Sequence, residues 1–149
     1  MYYRPFFKEE VKIKKLATKK FIVTTAITIL ILTGCESLDQ KEVTVPKGLD
    51  TYSGLSAALA AGEHILLYDV RTPEEYESGH IPGALNIPDD NFLEEPPPLN
   101  KSDIIVLYCV SGLRSTSVYN MLSAKGFNHV YDFGGLWKWE GELVKGTDP

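Results

Sequence analysis

The stretch that decides the fold of this chain is Ile104-Ile105-Val106-Leu107-Tyr108-Cys109-Val110-Ser111-Gly112-Leu113-Arg114-Ser115. It opens with an apolar run, which is typical of a strand buried on both faces. A cysteine closes that strand, and a turn containing Gly112 leads into a helix predicted from Ser115 to Lys125. Loop N–H groups and the positive end of the helix would converge on the sulfur, which lowers a thiol pKa from about 8.5 to about 3.5–7.5. We therefore predict a reactive thiolate at Cys109.

Strand and helix signals alternate along the rest of the chain. Besides Ile104–Tyr108, the predicted strands are Val43–Val45, Ile65–Val70, Ala84–Ile87 and Val130–Phe133. This alternation predicts right-handed βαβ units, hence one α/β domain with a parallel sheet and helices on both faces. Ligands of such sheets bind beyond the carboxyl ends of the strands, which is where Cys109 falls.

Local capping signals place the remaining helices. Ser53 is predicted to cap a helix that stops at Gly62. Thr72, Pro73 and Glu75 form a predicted capping box at the start of a short helix that ends near Gly79. A final amphipathic helix is predicted from Leu136 to Trp139. The acidic, proline-rich segment Asp89–Pro98 is predicted to be a solvated loop.

The first part of the chain has the pattern of an export signal. Seven Lys or Arg residues precede an apolar run, Phe21–Leu32, that is short for a membrane span. The run ends in Leu32-Thr33-Gly34-Cys35, which resembles the bacterial lipobox; the alternative is a plain signal anchor. The resemblance implies lipidation (palmitate among the acyl chains) of Cys35 and a membrane lipoprotein on the extracytoplasmic side.

These signals divide the chain into four predicted segments. They are a signal peptide at 1–34, a lipid-anchored polar tether at 35–42, a domain at 43–146 and a tail at 147–149. If Cys35 is acylated, Cys109 is left as a free thiol, because the chain has 2 cysteines.

Charge and composition exclude some functions. The net charge is −5 although the opening segment is basic, so the body is strongly acidic and unsuited to nucleic acid. No His/Cys cluster has the spacing of metal ligands, so we predict neither metal nor cofactor. We expect a monomer whose partners are small molecules and, through the anchor, the membrane.

Taken together, several motifs resemble the rhodanese (sulfurtransferase) family. They are Asp69–Tyr76, Gly79–Pro88, the loop Cys109–Ser115, and Gly134-Gly135 followed by Trp137 and Trp139. The resemblance implies a thiosulfate:cyanide-type sulfurtransferase. Cys109 would take a sulfane sulfur from thiosulfate or a persulfide, hold it as a cysteine persulfide, and pass it to a thiol or cyanide.

Two other functions remain open at this stage. A non-catalytic rhodanese-like module could bind a partner or sense sulfane sulfur. A cysteine phosphatase is the second, but phosphatases and arsenate reductases of this fold place five residues between Cys and Arg. Here four residues, Val110 to Leu113, separate Cys109 from Arg114, so the predicted pocket is small for a phosphate.

The residues around the cysteine loop have expected roles of their own. Val110, Ser111, Gly112, Leu113, Arg114 and Ser115 are predicted to form the substrate-binding loop. Arg114 either braces that loop or contacts an anionic donor. Asp69 and Arg71 are predicted to be supporting: Asp69 accepts loop N–H bonds or pairs with an Arg, and Arg71 pairs with Glu75 or another acid. Because the loop carries no charge besides Arg114, we expect modest thiosulfate activity and a preference for persulfide donors. A structural hydrogen bond is expected of His80, and packing of Trp137 and Trp139.

Overall fold

The computed structural model describes residues 43–149, and strands and helices alternate through them. The strands are β1 (Ile65–Asp69), β2 (Leu85–Asn86), β3 (Ile104–Cys109) and β4 (Val130–Gly135). The helices are α1 (Tyr52–Ala60), α2 (Pro73–Ser78), α3 (Asp89–Glu94) and α4 (Leu113–Ala124). A 3₁₀ turn, Leu136–Lys138, follows the last strand. The segments predicted at 1–34 and 35–42, with the lipidation of Cys35, lie outside the described residues.

The four strands form one parallel sheet in the order β2-β1-β3-β4. Every residue of β3 is buried, as its unbroken apolar sequence predicts for a strand with neighbours on both sides. Apolar side chains also fill the space above and below the sheet. On one face Leu55 and Tyr76 of α1 and α2 join the core, and on the other Phe92 and Val118 of α3 and α4 do so. The predicted α/β fold with helices on both faces is confirmed.

The pairing of β3 with β4 shifts its register near the carboxyl edge of the sheet. β3 and β4 pair regularly up to Leu107 and Asp132, but Tyr108 then pairs with Gly134 and Cys109 with Gly135. One residue of β4 is therefore bulged out, as in a β-bulge. The bulge brings two glycines alongside the end of β3, where the chain of β3 leaves the sheet.

Threonine side chains cap the first turns of α2 and α1. The side chain of Thr72 accepts from the N–H of Glu75, and Glu75 accepts from the N–H of Thr72, so the predicted capping box is present. This helix, α2, ends at Gly79 as predicted. α1 is capped by Thr51 instead of Ser53, because the Thr51 hydroxyl accepts from the N–H of Gly54.

Three other expectations are wrong. Residues 43–45 form no strand, although Val45 packs against the core. The segment predicted as a solvated loop contains α3, since Phe92 is fully buried and contacts the ring of Tyr68 edge-on at 5.2 Å between centroids. A single buried aromatic anchors a helix that acidic composition alone does not suggest. The last predicted helix is only the 3₁₀ turn, with extended backbone at Trp139.

Candidate active site

Cys109 is the last residue of β3 and lies at the carboxyl edge of the sheet, beside Gly135. The chain then turns sharply, because Gly112 has φ +103°, a conformation that L side chains rarely adopt. α4 starts at Leu113, two residues earlier than predicted, with Gly112 at its N-cap. Cys109 is thus placed under the first turn of a 12-residue helix. We call residues Cys109–Ser115 the cysteine loop.

Backbone amides of the cysteine loop surround the sulfur. The N–H of Gly112 donates to Cys109 Sγ at 3.1 Å. Cys109 has no exposed area, and burial by itself raises the pKa of the thiol. The N–H groups of Ser115, Ser111 and Arg114 favour the thiolate in the same way as the Gly112 hydrogen bond, and together the four amides outweigh burial, so the net pKa of Cys109 is lowered. The side chain contacts the core, yet its sulfur is held by donors that favour the thiolate.

Arg114 is held by a glutamate from another helix. Its two terminal nitrogens donate to the two carboxylate oxygens of Glu75 at 2.8 and 2.9 Å. This bond is the first cause that lowers the pKa of Glu75 to about 2, and the same bond raises the pKa of Arg114. Arg114 therefore braces the cysteine loop against α2, which is one of its two predicted roles.

Asp69 and Arg71 form a buried pair at the end of β1. The backbone N–H and Nε of Arg71 both donate to Asp69 Oδ1 at 2.9 Å, and Arg71 Nη2 donates to the carbonyl of Gly79 at 2.8 Å. Burial opposes the charge of Arg71, but the bond to Asp69 gives a raised pKa overall. Arg71 is predicted from the sequence to pair with Glu75 or with another acid. Its partner is Asp69, whereas Glu75 pairs with Arg114. The pair joins the end of β1 to the end of α2.

Asp132, which no sequence motif marks, also supports the cysteine loop. Ser115 Oγ and Thr116 Oγ1 donate to its two carboxylate oxygens at 2.6 Å each, and Ser115 Oγ also lies 3.0 Å from the carbonyl of Gly112. These bonds tie the first turn of α4 to β4 directly behind the cysteine loop. The only sequence signal was a charged residue within the predicted strand Val130–Phe133, whose other members are apolar or aromatic.

Apolar side chains form the outer rim of the cysteine loop. Leu113 is 79% exposed, Trp137 75% and Val110 47%. The indole of Trp137 lies against the backbone of Gly135, where an added Cβ would meet Nε1 at 2.2 Å. Trp137 therefore packs as a lid over the strand end beside Cys109 and is not part of the buried core, so only the lid part of the predicted core and lid packing holds for this residue. Trp139 does pack, edge-on to Tyr52 at 5.2 Å.

His80 has a structural environment. It is fully buried and stacked on Tyr76 at 3.6 Å between ring centroids. Its two ring nitrogens lie 3.0 Å from the carbonyl oxygens of Tyr76 and Asp148. These contacts hold the C-terminal segment against α2 and confirm the expected structural hydrogen bond.

Residues 43–149 offer neither a cluster of metal-ligating side chains nor a helix suited to crossing a membrane. Within this range, no three His, Cys, Asp or Glu side chains are grouped as metal ligands would be. Over the same residues, no helix combines the length and the apolar character that crossing a membrane requires.

A parallel α/β sheet with a cysteine at its carboxyl edge, held by a loop amide, is the class of domain that these observations describe. Residues 51–142 match the model of the rhodanese-like domain, so the chain belongs to that family. It is 37% identical over 83 residues to a thiosulfate sulfurtransferase of Escherichia coli, covering 54% of this chain and 78% of that protein. It is 37% identical over 86 residues to a sulfurtransferase of Allochromatium vinosum, covering 57% and 80%.

Solved structures agree with this assignment. A rhodanese-like domain protein from Staphylococcus aureus superposes with a TM-score of 0.57 at 35% identity. The superposition covers 64% of this chain and 95% of that one. The shared region is therefore nearly the whole of the Staphylococcus aureus protein.

Proposed function

We propose that this protein is a rhodanese-type sulfurtransferase that carries sulfur on Cys109. The proposal rests mainly on the hydrogen bond from the Gly112 N–H to Cys109 Sγ at the start of α4, in a loop whose amides lower the thiol pKa. Its family membership and its sulfurtransferase relatives support sulfur transfer at the level of the family.

The first half of the proposed reaction loads the cysteine. The Cys109 thiolate attacks the outer, sulfane sulfur of a donor, and a new S–S bond forms. The S–S bond of the donor breaks, and its electron pair leaves with sulfite when thiosulfate is the donor. The terminal sulfur of the Cys109 persulfide is anionic, and the same loop N–H groups that favour the thiolate stabilise it.

The second half of the proposed reaction removes the terminal sulfur from the Cys109 persulfide. An acceptor nucleophile, a thiolate or cyanide, attacks the terminal sulfur. The bond between this atom and Sγ breaks, and the electron pair returns to Sγ as a thiolate. With thiosulfate as the donor and cyanide as the acceptor, no proton has to be moved, because Cys109 is ionised at both ends of the cycle. His80, which is buried against carbonyl oxygens, is accordingly not required as a base.

Intact-mass measurement tests this proposal. The full chain in mild detergent is incubated with thiosulfate or an alkyl hydropersulfide and then separated from the donor. We expect a gain of one sulfur atom, lost on adding cyanide or a thiol and missing in Cys109→Ser. A folded protein that gains no sulfur from either donor would favour the non-catalytic binding or sensing module.

A cysteine phosphatase is the less favoured alternative. The cysteine loop has four residues between Cys109 and Arg114, and Glu75 already occupies both terminal nitrogens of that arginine. A phosphate would have to displace the carboxylate to bind there. Turnover of an aryl phosphate that disappears in Cys109→Ser would establish this alternative.

We further propose that the protein is anchored to the extracytoplasmic side of the cell membrane through lipid on Cys35. The support is the sequence alone: the apolar run before Leu32-Thr33-Gly34-Cys35. Several acyl chains give strong attachment, since each buried CH₂ contributes about 0.8 kcal/mol. Cys35→Ala is expected to accumulate as uncleaved precursor in cell fractions. Normal processing of that variant to a released product would contradict the anchor.

A further inference from the structure

Glu75 pairs with Arg114, which carries the one positive charge of the cysteine loop. Arg114 is the only Lys or Arg between positions 109 and 115. Both of its terminal nitrogens are directed to Glu75, and the two side chains are 29% and 34% exposed. The guanidinium stands beside the sulfur site, but its charge and its two best donors are engaged by a carboxylate.

The surface next to this neutralised pair is apolar. Val110 and Leu113 flank the turn of the cysteine loop, and both are exposed. Trp137 is exposed on the other side, against Gly135, the residue that pairs with Cys109 in the sheet. A donor approaching Cys109 therefore meets hydrocarbon and an occupied arginine on a chain of net charge −5.

We propose that Glu75 is a specificity-determining residue that turns the site from anionic donors to donors with an uncharged, apolar body. The donor class is the alkyl hydropersulfides, whose hydrocarbon part fits the rim of Val110, Leu113 and Trp137. This inference rests on the proposed sulfurtransferase function. Thiosulfate, a dianion, is disfavoured because Glu75 both occupies Arg114 and repels a second negative charge.

The transfer from such a donor balances without any further reagent. The Cys109 thiolate attacks the outer sulfur of the hydropersulfide, and the Sγ–S bond forms as the donor's S–S bond breaks. The electron pair leaves on the alkyl thiolate. The proton of the hydropersulfide passes to this thiolate, so the products are an alkyl thiol and an ionised Cys109 persulfide.

Glu75→Gln tests the proposal while preserving the helix start, because a glutamine at this position still accepts from the N–H of Thr72. Steady-state rates are measured with thiosulfate and with an alkyl hydropersulfide, using cyanide as the common acceptor. We expect kcat/KM for thiosulfate to rise about fivefold, mainly through KM, as a partly exposed ion pair is released. The gain should shrink as salt is added. The ratio of the thiosulfate rate to the hydropersulfide rate should rise by about the same factor, because any loosening of the loop that Glu75 braces acts on both donors alike.

Glu74→Gln is the matched control. Glu74 lies in the same first turn of α2 and is exposed, so this substitution removes the same charge one position earlier without touching Arg114. Its donor preference should equal that of the wild type. A general effect of net charge would instead move both variants together, and that result would overturn the assignment to Glu75.

The outcomes separate this inference from the proposed function. Equal losses with both donors in Glu75→Gln would mean that Glu75 only holds the loop in place, which overturns the specificity role. An unchanged preference would overturn it as well. A wild-type protein whose Cys109 gains sulfur from neither donor would defeat the proposed function itself, whatever the variant does.

Discussion

Gly112→Ala should raise the pKa of Cys109, because Gly112 both shapes the cysteine loop and donates to the sulfur. An alanine at φ +103° is strained by about 1–2 kcal/mol and relaxes toward negative φ. The added Cβ meets Gly134 at an ordinary 3.5 Å, so backbone strain is the main cost. Relaxation turns the N–H away from Sγ, now 3.1 Å distant. A hydrogen bond to a charged group contributes about 1.5–3 kcal/mol, which corresponds to about 1–2 pKa units.

The assay is the pH dependence of alkylation by iodoacetamide, in a Cys35→Ala background so that Cys109 is the only thiol. The midpoint should move upward in Gly112→Ala. Gly126→Ala is the control, since Gly126 ends the same helix at φ +81° and an added Cβ there meets nothing within 4 Å. It should lose stability but keep the wild-type midpoint. An unmoved midpoint in Gly112→Ala would refute the view that loop amides set this ionisation.

The same depressed pKa has a consequence for stability. Since the thiol ionises more readily in the folded protein, the thiolate stabilises the fold fully above the ordinary pKa of about 8.5. This contribution to the unfolding free energy declines as the pH falls and is lost below the pKa that Cys109 has in the folded protein. The pH-dependent part of the unfolding free energy should therefore be smaller in Gly112→Ala than in the wild type.

Three further predictions concern stability. The pKa of Glu75 is lowered from 4.5 to about 2, so its contribution is complete above pH 4.5 and is lost as the pH falls toward 2. Solvent screening limits it to about 1 kcal/mol, measured as the difference in unfolding free energy between wild type and Glu75→Gln across this range. Asp69→Ala leaves Arg71 buried without its partner and should cost about 3–5 kcal/mol in urea denaturation, whereas the exposed Asp90→Ala should cost under about 0.5. Phe92→Ala should lower the unfolding free energy by about 3–5 kcal/mol, because Phe92 is fully buried. A loss under about 0.5 kcal/mol would contradict this burial and would mean that α3 does not pack on the sheet.

Local sequence patterns were sufficient for the strands and for the placement of the nucleophile. The apolar run of β3 has to be buried on both sides, which makes it a central strand. The capping box of Thr72 and Glu75 works across three residues. Cys109 and the glycine turn that follows it are neighbours in the chain, so their relation is independent of the rest of the fold.

α3 shows where such patterns fail. Its acidic residues and the prolines that follow indicate a loop, and one aromatic residue is too little to give a helical period. Phe92 is buried because the face of the sheet that carries Tyr68 needs a cover, and this requirement comes from another part of the chain. Trp137 is the converse case, since the 3₁₀ turn directs its ring over Gly135 and leaves it exposed.

The α/β fold and the position of Cys109 at a strand end can be read from the chain, because both follow from residues only a few positions apart. The partners of the charged groups depend on the folded arrangement of the sheet. Glu75 could pair with the nearby Arg71 or with the distant Arg114, and the strand order β2-β1-β3-β4 sets α2 beside the cysteine loop. Asp132 likewise acquires its partners Ser115 and Thr116 because β4 lies next to β3. Electrostatic pairing depends on distances in space, which the folded sheet sets and the spacing along the chain does not.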